Sequence, residues 1–265
     1  MIRPLVSVVM PTNGRIDYCL QAVNSILAQT IQNFELLIVN NASNFDDLAR
    51  VLPKDSRIKH FKFANGGVVA RSRNHGIRNS SGRYIAFCDD DDLWCENKLQ
   101  VQLDALKASD IGFACFSVDR FGDGVCEDFG HRDIAHGSVI PGKLTLFRLI
   151  LKNSICLSSV MLERDYVTEN FFFDDDPRIS PFEDYLKWIE ICSIKKNVIF
   201  INRPLVRYRI SGSQHTRELK DPHLIVIRVL CRRYKATARL SEKIMLTMGI
   251  AARYLRHLYW LVFSK

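Results

Sequence analysis

The chain has 265 residues, 47% of them hydrophobic and 25% charged, which is the balance of a globular protein with an ample core and excludes a disordered or fibrous chain. That length fits one large domain, or one domain with an appendage. The net charge of +8 is uneven: residues 223–265 hold nine basic side chains and one acid, Glu242, while residues 1–222 hold 28 of each sign, so any partner that the basic character implies belongs to the C-terminal segment.

In chain order, the first apolar run, VSVVM (6–10), reads as a strand and is broken at Pro11, too soon for a signal peptide. ELLIVN (35–40), IKHFKF (58–63) and YIAFCD (84–89) are further β-branched or aromatic runs that predict strands. Between them lie helical patterns over 17–29, where Leu20, Val23, Ile26 and Leu27 share a face, and over 68–79. A third, over 96–109, sets Leu99, Leu103 and Leu106 on one side. Such alternation predicts an α/β fold with a mostly parallel sheet flanked by helices. Ligands of such sheets bind beyond the carboxyl ends of the strands. Further on, 111–121 reads as a strand, 122–140 as a loop or hairpin over the site, 143–152 as a helix and 156–163 as a strand. SPFEDYLKWIEICSIKK (180–196) opens as a helix should, with Ser, Pro and two acids, and 198–210 reads as a strand broken by Pro204. The eight cysteines form no C-x-x-C pair, so they read as buried, reduced thiols of a cytosolic protein rather than zinc ligands.

The fourth strand ends on four aspartates, Asp89 to Asp92. Each raises the cost of ionising the next. A cation, a polyanion held through one, or solvent would offset that repulsion. A hard divalent ion takes oxygen ligands and is often held by one or two carboxylates plus substrate phosphates. The bland alternative is an acidic turn capping the next helix. The same choice applies to Glu183 and Asp184 in the first turn of the 180–196 helix: acids there gain from the helix dipole, or serve as a proton acceptor.

Four segments decide between these. PLVSVVMPT, SILAQTIQNFELLIVNNAS, RNHGIRNSSGRYIAFCDDDDLW and SPFEDYLKWIEI stand in the order, and near the spacing, of the family 2 glycosyltransferases, which this chain resembles over residues 4–212. The resemblance implies a GT-A fold, a nucleotide-sugar donor, Mg²⁺ or Mn²⁺, and inversion at the anomeric carbon. It puts Asp91 on the metal with Asp89 beside it, and Asp90 at the donor's ribose. Asp92, like Asp89, becomes a supporting acid that orients loop and ligand. Asp184 matches the family's general base and Glu183 its partner. Pro11 and Thr12 match the donor site, and Arg73 is placed to pair with a phosphate. His215 falls in a segment that closes over the diphosphate in the family, as a metal ligand or phosphate contact.

The chain departs from the pattern at Asn13-Gly14 and at Asn40-Asn41, where the family carries an acidic pair. Asn41 can still accept a uracil N3–H, although the family's charge is gone there; the donor expected is a UDP-sugar. The expected acceptor is a hydroxyl of a glycan or lipid-linked sugar in surface polysaccharide synthesis. Two rivals stand beside this reading: a nucleotidyltransferase, and a non-catalytic glycan- or membrane-binding relative. Trp94 and Trp188 read as packing residues.

The organisation expected is a catalytic domain over 1–222 and a basic helical tail over 223–265. Arg228, Arg232, Lys235, Arg239 and Glu242 form one polar stripe in a helical phase. The closing IAARYLRHLYWLVF is too short and too charged to span a bilayer. The tail therefore fits the interface of an anionic membrane, on the inner face of the cytoplasmic membrane, or else packs on the catalytic domain. It lacks any recognised nucleic-acid module, so a nucleic-acid partner is not expected.

Overall fold

Two strands, β1 (Val6–Thr12) and β2 (Phe34–Asn40), are buried at every position, as expected for strands covered on both faces. They are the centre of a computed structural model that describes residues 3–42, 45–122, 141–144, 146–151, 153–167, 172–195, 198–210, 222–237 and 239–263. Helix α1 (Ile16–Leu27) buries Cys19, Ala22, Val23 and Ile26, the spacing of one helical face. A short helix not anticipated from the sequence, α2 (Phe45–Val51), precedes β3 (Ile58–Lys62). Gly66 and Gly67, at φ +63° and +79°, turn the chain into α3 (Val69–Asn79). Helix α3 lies close on the sheet: a Cβ added at Gly76 would sit 2.5 Å from Val9 Cγ1.

Next come β4 (Tyr84–Phe87), β5 (Leu93–Trp94) and α4 (Lys98–Lys107), then β6 (Phe113–Gly122), β7 (Pro141–Leu144) and α5 (Leu146–Leu151). The chain continues through β8 (Met161–Glu163), α6 (Glu183–Lys195), β9 (Val198–Ile210), α7 (Pro222–Ala236) and α8 (Leu240–Phe263). Among the described residues these make one nine-stranded sheet in the order β3-β2-β1-β4-β8-β6-β9-β5, with β7 on β9. The run β3-β2-β1-β4 is parallel, so β1, β2 and β4 all end at the same edge. Strand β8 pairs antiparallel with β4 and β6, and β6 runs parallel to β9. The fold class is the α/β one expected.

Three local expectations are corrected. Residues 143–152 are not one helix: β7 takes 141–144 and α5 starts at Leu146. Only Met161–Glu163 of the expected 156–163 strand pairs in the sheet, because Leu157–Ser159 make a 3₁₀ turn. Pro204 does not break β9. The β6–β9 register shifts between the pairs Phe116–Ile201 and Val118–Val206, so the proline falls in the irregular stretch and removes no rung of the ladder. The expected loop over 122–140 lies outside the described residues, apart from Gly122 at the end of β6.

One core covers each face of the sheet. On one side α1 and α4 cover β1 through Val8 and Met10. On the other, Trp188 of α6 packs with Phe113 and Phe173 at ring-centre distances of 5.3 and 5.8 Å. Trp94 is buried in the first core, so both tryptophans pack, as expected. The seven described cysteines are all free.

The tail shares the second core. Val226, Val229 and Leu230 of α7 and Leu246 of α8 are buried in it. A Cβ on Gly249 would lie 2.1 Å from Ile150 Cγ2, so α8 rests directly on α5. The expected polar stripe needs one correction. Glu242 is buried, accepts a hydrogen bond from Thr237 Oγ1 at 2.7 Å and pairs with Arg233 at 2.9 Å. Helix α7 ends at Ala236 and α8 starts at Leu240, which resets the helical phase that the stripe assumed. Arg232 is paired with Asp174 and Asp176, at 2.6 and 2.7 Å. Among the described residues no helix is long and apolar enough to cross a membrane.

Candidate active site

The aspartate run leaves β4 and alternates. Asp90 and Asp92 point inward and are buried, while Asp89 and Asp91 are partly exposed. The inward pair is held by the fold. Asp90 accepts from Thr12 Oγ1 at 2.6 Å, which ties it to the end of β1. Asp92 accepts from Ser158 Oγ at 2.6 Å and from the Arg209 backbone N–H at 3.0 Å, which ties it to the 3₁₀ turn and to β9. Ser158 Oγ also accepts from the Asp89 N–H at 3.0 Å, and its carbonyl accepts from Trp94 Nε1 at 3.0 Å. Behind Trp94, the ammonium of buried Lys98 sits 3.7 Å from the ring centre, and burial pushes its pKa down to about 7.

Two arginines supply the positive charge. Arg15, at the start of α1, donates to Asp91 Oδ2 at 2.9 Å and also to Asp90. Arg73 of α3 is buried; it donates to Asp89 Oδ1 at 2.9 Å and to Glu183 at the start of α6. Both of its terminal nitrogens meet protein carboxylates, while its buried Nε has no hydrogen-bond partner. Arg73 bridges the aspartate run to the second acidic pair.

Asp184 stands next to that bridge. Helix α6 is fixed there by Tyr185, whose hydroxyl donates to the carbonyls of Leu149 and Ile150 at 2.9 and 2.8 Å. Burial and the neighbouring Glu183 push the Asp184 pKa up to about 7, against the pull of Arg73. Burial, then Asp89, lift Asp91 to about 6, partly offset by Arg15. Burial pushes Asp92 well above the usual carboxylate range. One carboxylate thus has the affinity for protons that a general base needs at neutral pH, and another gains from a cation beside it.

The donor candidates sit around this edge. Pro11 and Thr12 close β1, and Thr12 is committed to Asp90. Asn41 follows β2; its Oδ1 accepts from the Asn65 N–H at 2.8 Å and keeps a second lone pair. Asn40 is buried, with Oδ1 accepting from Ala42 N at 2.8 Å and Nδ2 unpaired. His215 lies outside the described residues.

The residues present fit a divalent cation. Asp89 and Asp91 offer hard oxygen donors. Among the described residues no three His, Cys, Asp or Glu side chains converge on one point. The chain therefore supplies a partial shell, of the kind that substrate phosphates and water complete around Mg²⁺.

The profile of Glycosyl transferase family 2 matches residues 7–172, more than half of the chain. The chain belongs to this family. An uncharacterised glycosyltransferase of Rickettsia conorii is 34% identical over 221 residues, 82% of this chain and 34% of that protein. The chain thus spans about a third of the length of the Rickettsia relatives it matches. A second relative is the Escherichia coli UDP-Glc:alpha-D-GlcNAc-diphosphoundecaprenol beta-1,3-glucosyltransferase WfgD. It is 32% identical over 217 residues, 79% of this chain and 78% of that protein. Among solved structures, residues 1–349 of Staphylococcus aureus TarS with UDP-GlcNAc align at a TM-score of 0.73 and 14% identity, over 98% of this chain and 76% of that one. The mannosyltransferase PcManGT of Pyrobaculum calidifontis, solved with GDP-Man and Mn²⁺, aligns at 0.67 and 11%, over 100% of this chain and 77% of that one. The GT-A fold expected from the sequence is the fold these share.

Arg15, Ser158 and Arg209 were not among the residues singled out in the sequence. Arg15 carried a signal, a cation three residues past Thr12 in the same loop. Ser158 carried none, because its partners are distant in the chain and only the sheet order brings them together.

Proposed function

We propose that the chain is a metal-dependent, inverting glycosyltransferase. It moves a sugar from a nucleoside diphosphate donor, with uridine favoured, to a hydroxyl of a glycan or lipid-linked acceptor in surface polysaccharide synthesis. The observation that carries this is the Asp89–Arg73–Glu183 bridge, which sets Asp184 at a fixed place beside the aspartate run. The relatives add support: TarS was solved with UDP-GlcNAc, and WfgD is named for a UDP-linked donor and a diphosphoundecaprenol acceptor.

Asp91, with Asp89 beside it, would hold Mg²⁺ or Mn²⁺, and the bound ion would offset the charge that grows on the leaving diphosphate. Asp184 takes the proton from the acceptor hydroxyl onto a carboxylate oxygen. The acceptor oxygen bonds to the anomeric carbon as the carbon–oxygen bond to the diphosphate breaks, and the bonding electrons leave with the diphosphate. Attack from the face opposite the leaving group inverts the centre. Glu183 and Arg73 hold the base in place, and Asp90 and Asn41 meet the nucleoside. On this reading residues 1–222 carry the transfer. Residues 223–265 touch an anionic membrane from its cytoplasmic side.

The test is a screen of nucleotide sugars for release of nucleoside diphosphate, with Mn²⁺ and with a chelator. Release from a UDP-sugar that needs Mn²⁺ and disappears in Asp91→Ala is expected. Release of pyrophosphate instead, or turnover unchanged in Asp91→Ala, would contradict the assignment.

A further inference from the structure

Helix α8 has two apolar faces. The inner one, with Leu246 and Gly249, rests on α5 and the second core. The opposite one carries Leu240, Ile244, Met248, Leu255 and Leu258, each between 41% and 74% exposed. Their spacings of four, four, seven and three residues place them on one side of the helix. Exposed large apolar side chains are ordinary when scattered; a contiguous row of five on one helix marks a surface that is covered in use.

Charge decides what covers it. The tail's one acid, Glu242, is buried against Arg233. Arg232 is neutralised by Asp174 and Asp176. That leaves Arg228, Lys235 and Arg239 exposed on α7 and at the start of α8, and Lys243 partly exposed beside the row. A second copy of the chain would bring the same cationic surface against itself, and like charges facing each other weaken such a contact. An anionic bilayer answers both features, since it takes apolar side chains below its headgroups and attracts the cations at their level.

We infer that the outer face of α8 is the surface by which this protein lies on an anionic phospholipid bilayer. The row Leu240 to Leu258 enters the headgroup boundary, and Arg239 and Lys243, which adjoin the row in sequence, stand among the phosphates. This deepens the membrane part of the proposed function and rests on it only for the nature of the acceptor. Helix α8 also packs on α5, whose carbonyls fix Tyr185, the residue after Asp184.

The test is co-sedimentation of the full chain with phosphatidylglycerol–phosphatidylcholine vesicles and with pure phosphatidylcholine vesicles, without donor. Binding to the first, and much less to the second, is expected. The triple variant Ile244→Ser, Met248→Ser, Leu255→Ser should bind the anionic vesicles at least ~10-fold more weakly. Arg228→Gln with Lys235→Gln should lower binding at low salt and leave a salt-insensitive remainder. Both variants should keep wild-type affinity for UDP with Mn²⁺, which also checks that they fold. Three results would overturn the inference: no vesicle binding, equal binding by the triple variant, or a wild-type dimer that the triple variant dissolves. Vesicle binding without turnover of any nucleotide sugar would instead sink the transferase reading and leave this one standing.

Discussion

At the strand ends Arg73 and Arg15 each hold two carboxylates, whereas on the outer face of α8 five large apolar side chains stand in solvent. Both regions go against the ordinary rule of partition. The strand-end site takes charge inside, where removing one partner strands the others. The helix keeps apolar surface outside, where losing a side chain strands nothing. A buried ionic bridge is therefore a place where substitution costs stability, and an exposed apolar row is a place where it costs only an encounter. Each departure from the rule sits where a partner is proposed: the donor and acceptor at the strand ends, the bilayer on α8.

The contrast can be broken first at Arg73. Arg73→Met keeps much of the volume and leaves Glu183 and Asp89 without their cation, so a loss of about 3–5 kcal/mol is expected in urea unfolding. A loss under ~1 kcal/mol would mean that the bridge is not a structural unit. A smaller effect is expected at Asn41. Asn41→Asp keeps the acceptor that receives the Asn65 N–H at 2.8 Å, so the uridine reading predicts UDP affinity unchanged or tighter by calorimetry. Weakening by roughly 1–3 kcal/mol would show that the amide donates to the base instead. The smallest effect belongs to α8, where Leu255→Ser should move stability by no more than ~0.5 kcal/mol. A larger loss there would mean that the outer face is packed in the free protein.

The strands were readable because β1, β2 and β4 are short apolar runs bounded by polar or turn residues, and the alternation with helices gave the α/β class but not the order of the strands in the sheet. The aspartate run was readable as a site for the same reason: four like charges at a strand end demand an explanation. What each aspartate does was less readable. The inward turn of Asp90 and Asp92 depends on Thr12, Ser158 and Arg209, which lie 78, 66 and 117 residues away in the chain. Arg73 was matched to a phosphate contact by its place after the Gly loop; its bridge from Asp89 to Glu183 could not be read, because those acids lie 16 and 110 residues away in the chain. Glu242 was misplaced because a helical phase was carried across a break between two helices. The apolar row of α8 was hidden because its inner and outer faces are both apolar, so one periodicity masked the other.

The proposed transfer needs Asp184 as the proton acceptor, and Asp184→Asn tests that most directly. The amide keeps the shape and the bond from the Tyr185 N–H, 2.6 Å in the parent, but cannot take the proton. UDP with Mn²⁺ should bind as before, while transfer at saturating substrates falls roughly 10²–10⁴-fold. Wild-type transfer should climb with pH through about 7, because below that the Asp184 carboxyl, raised by burial and Glu183, is protonated and cannot accept. The residual transfer of the variant should lack this rise. A loss under about threefold, or a variant that keeps the wild-type pH profile, would contradict the assignment of Asp184 as the base.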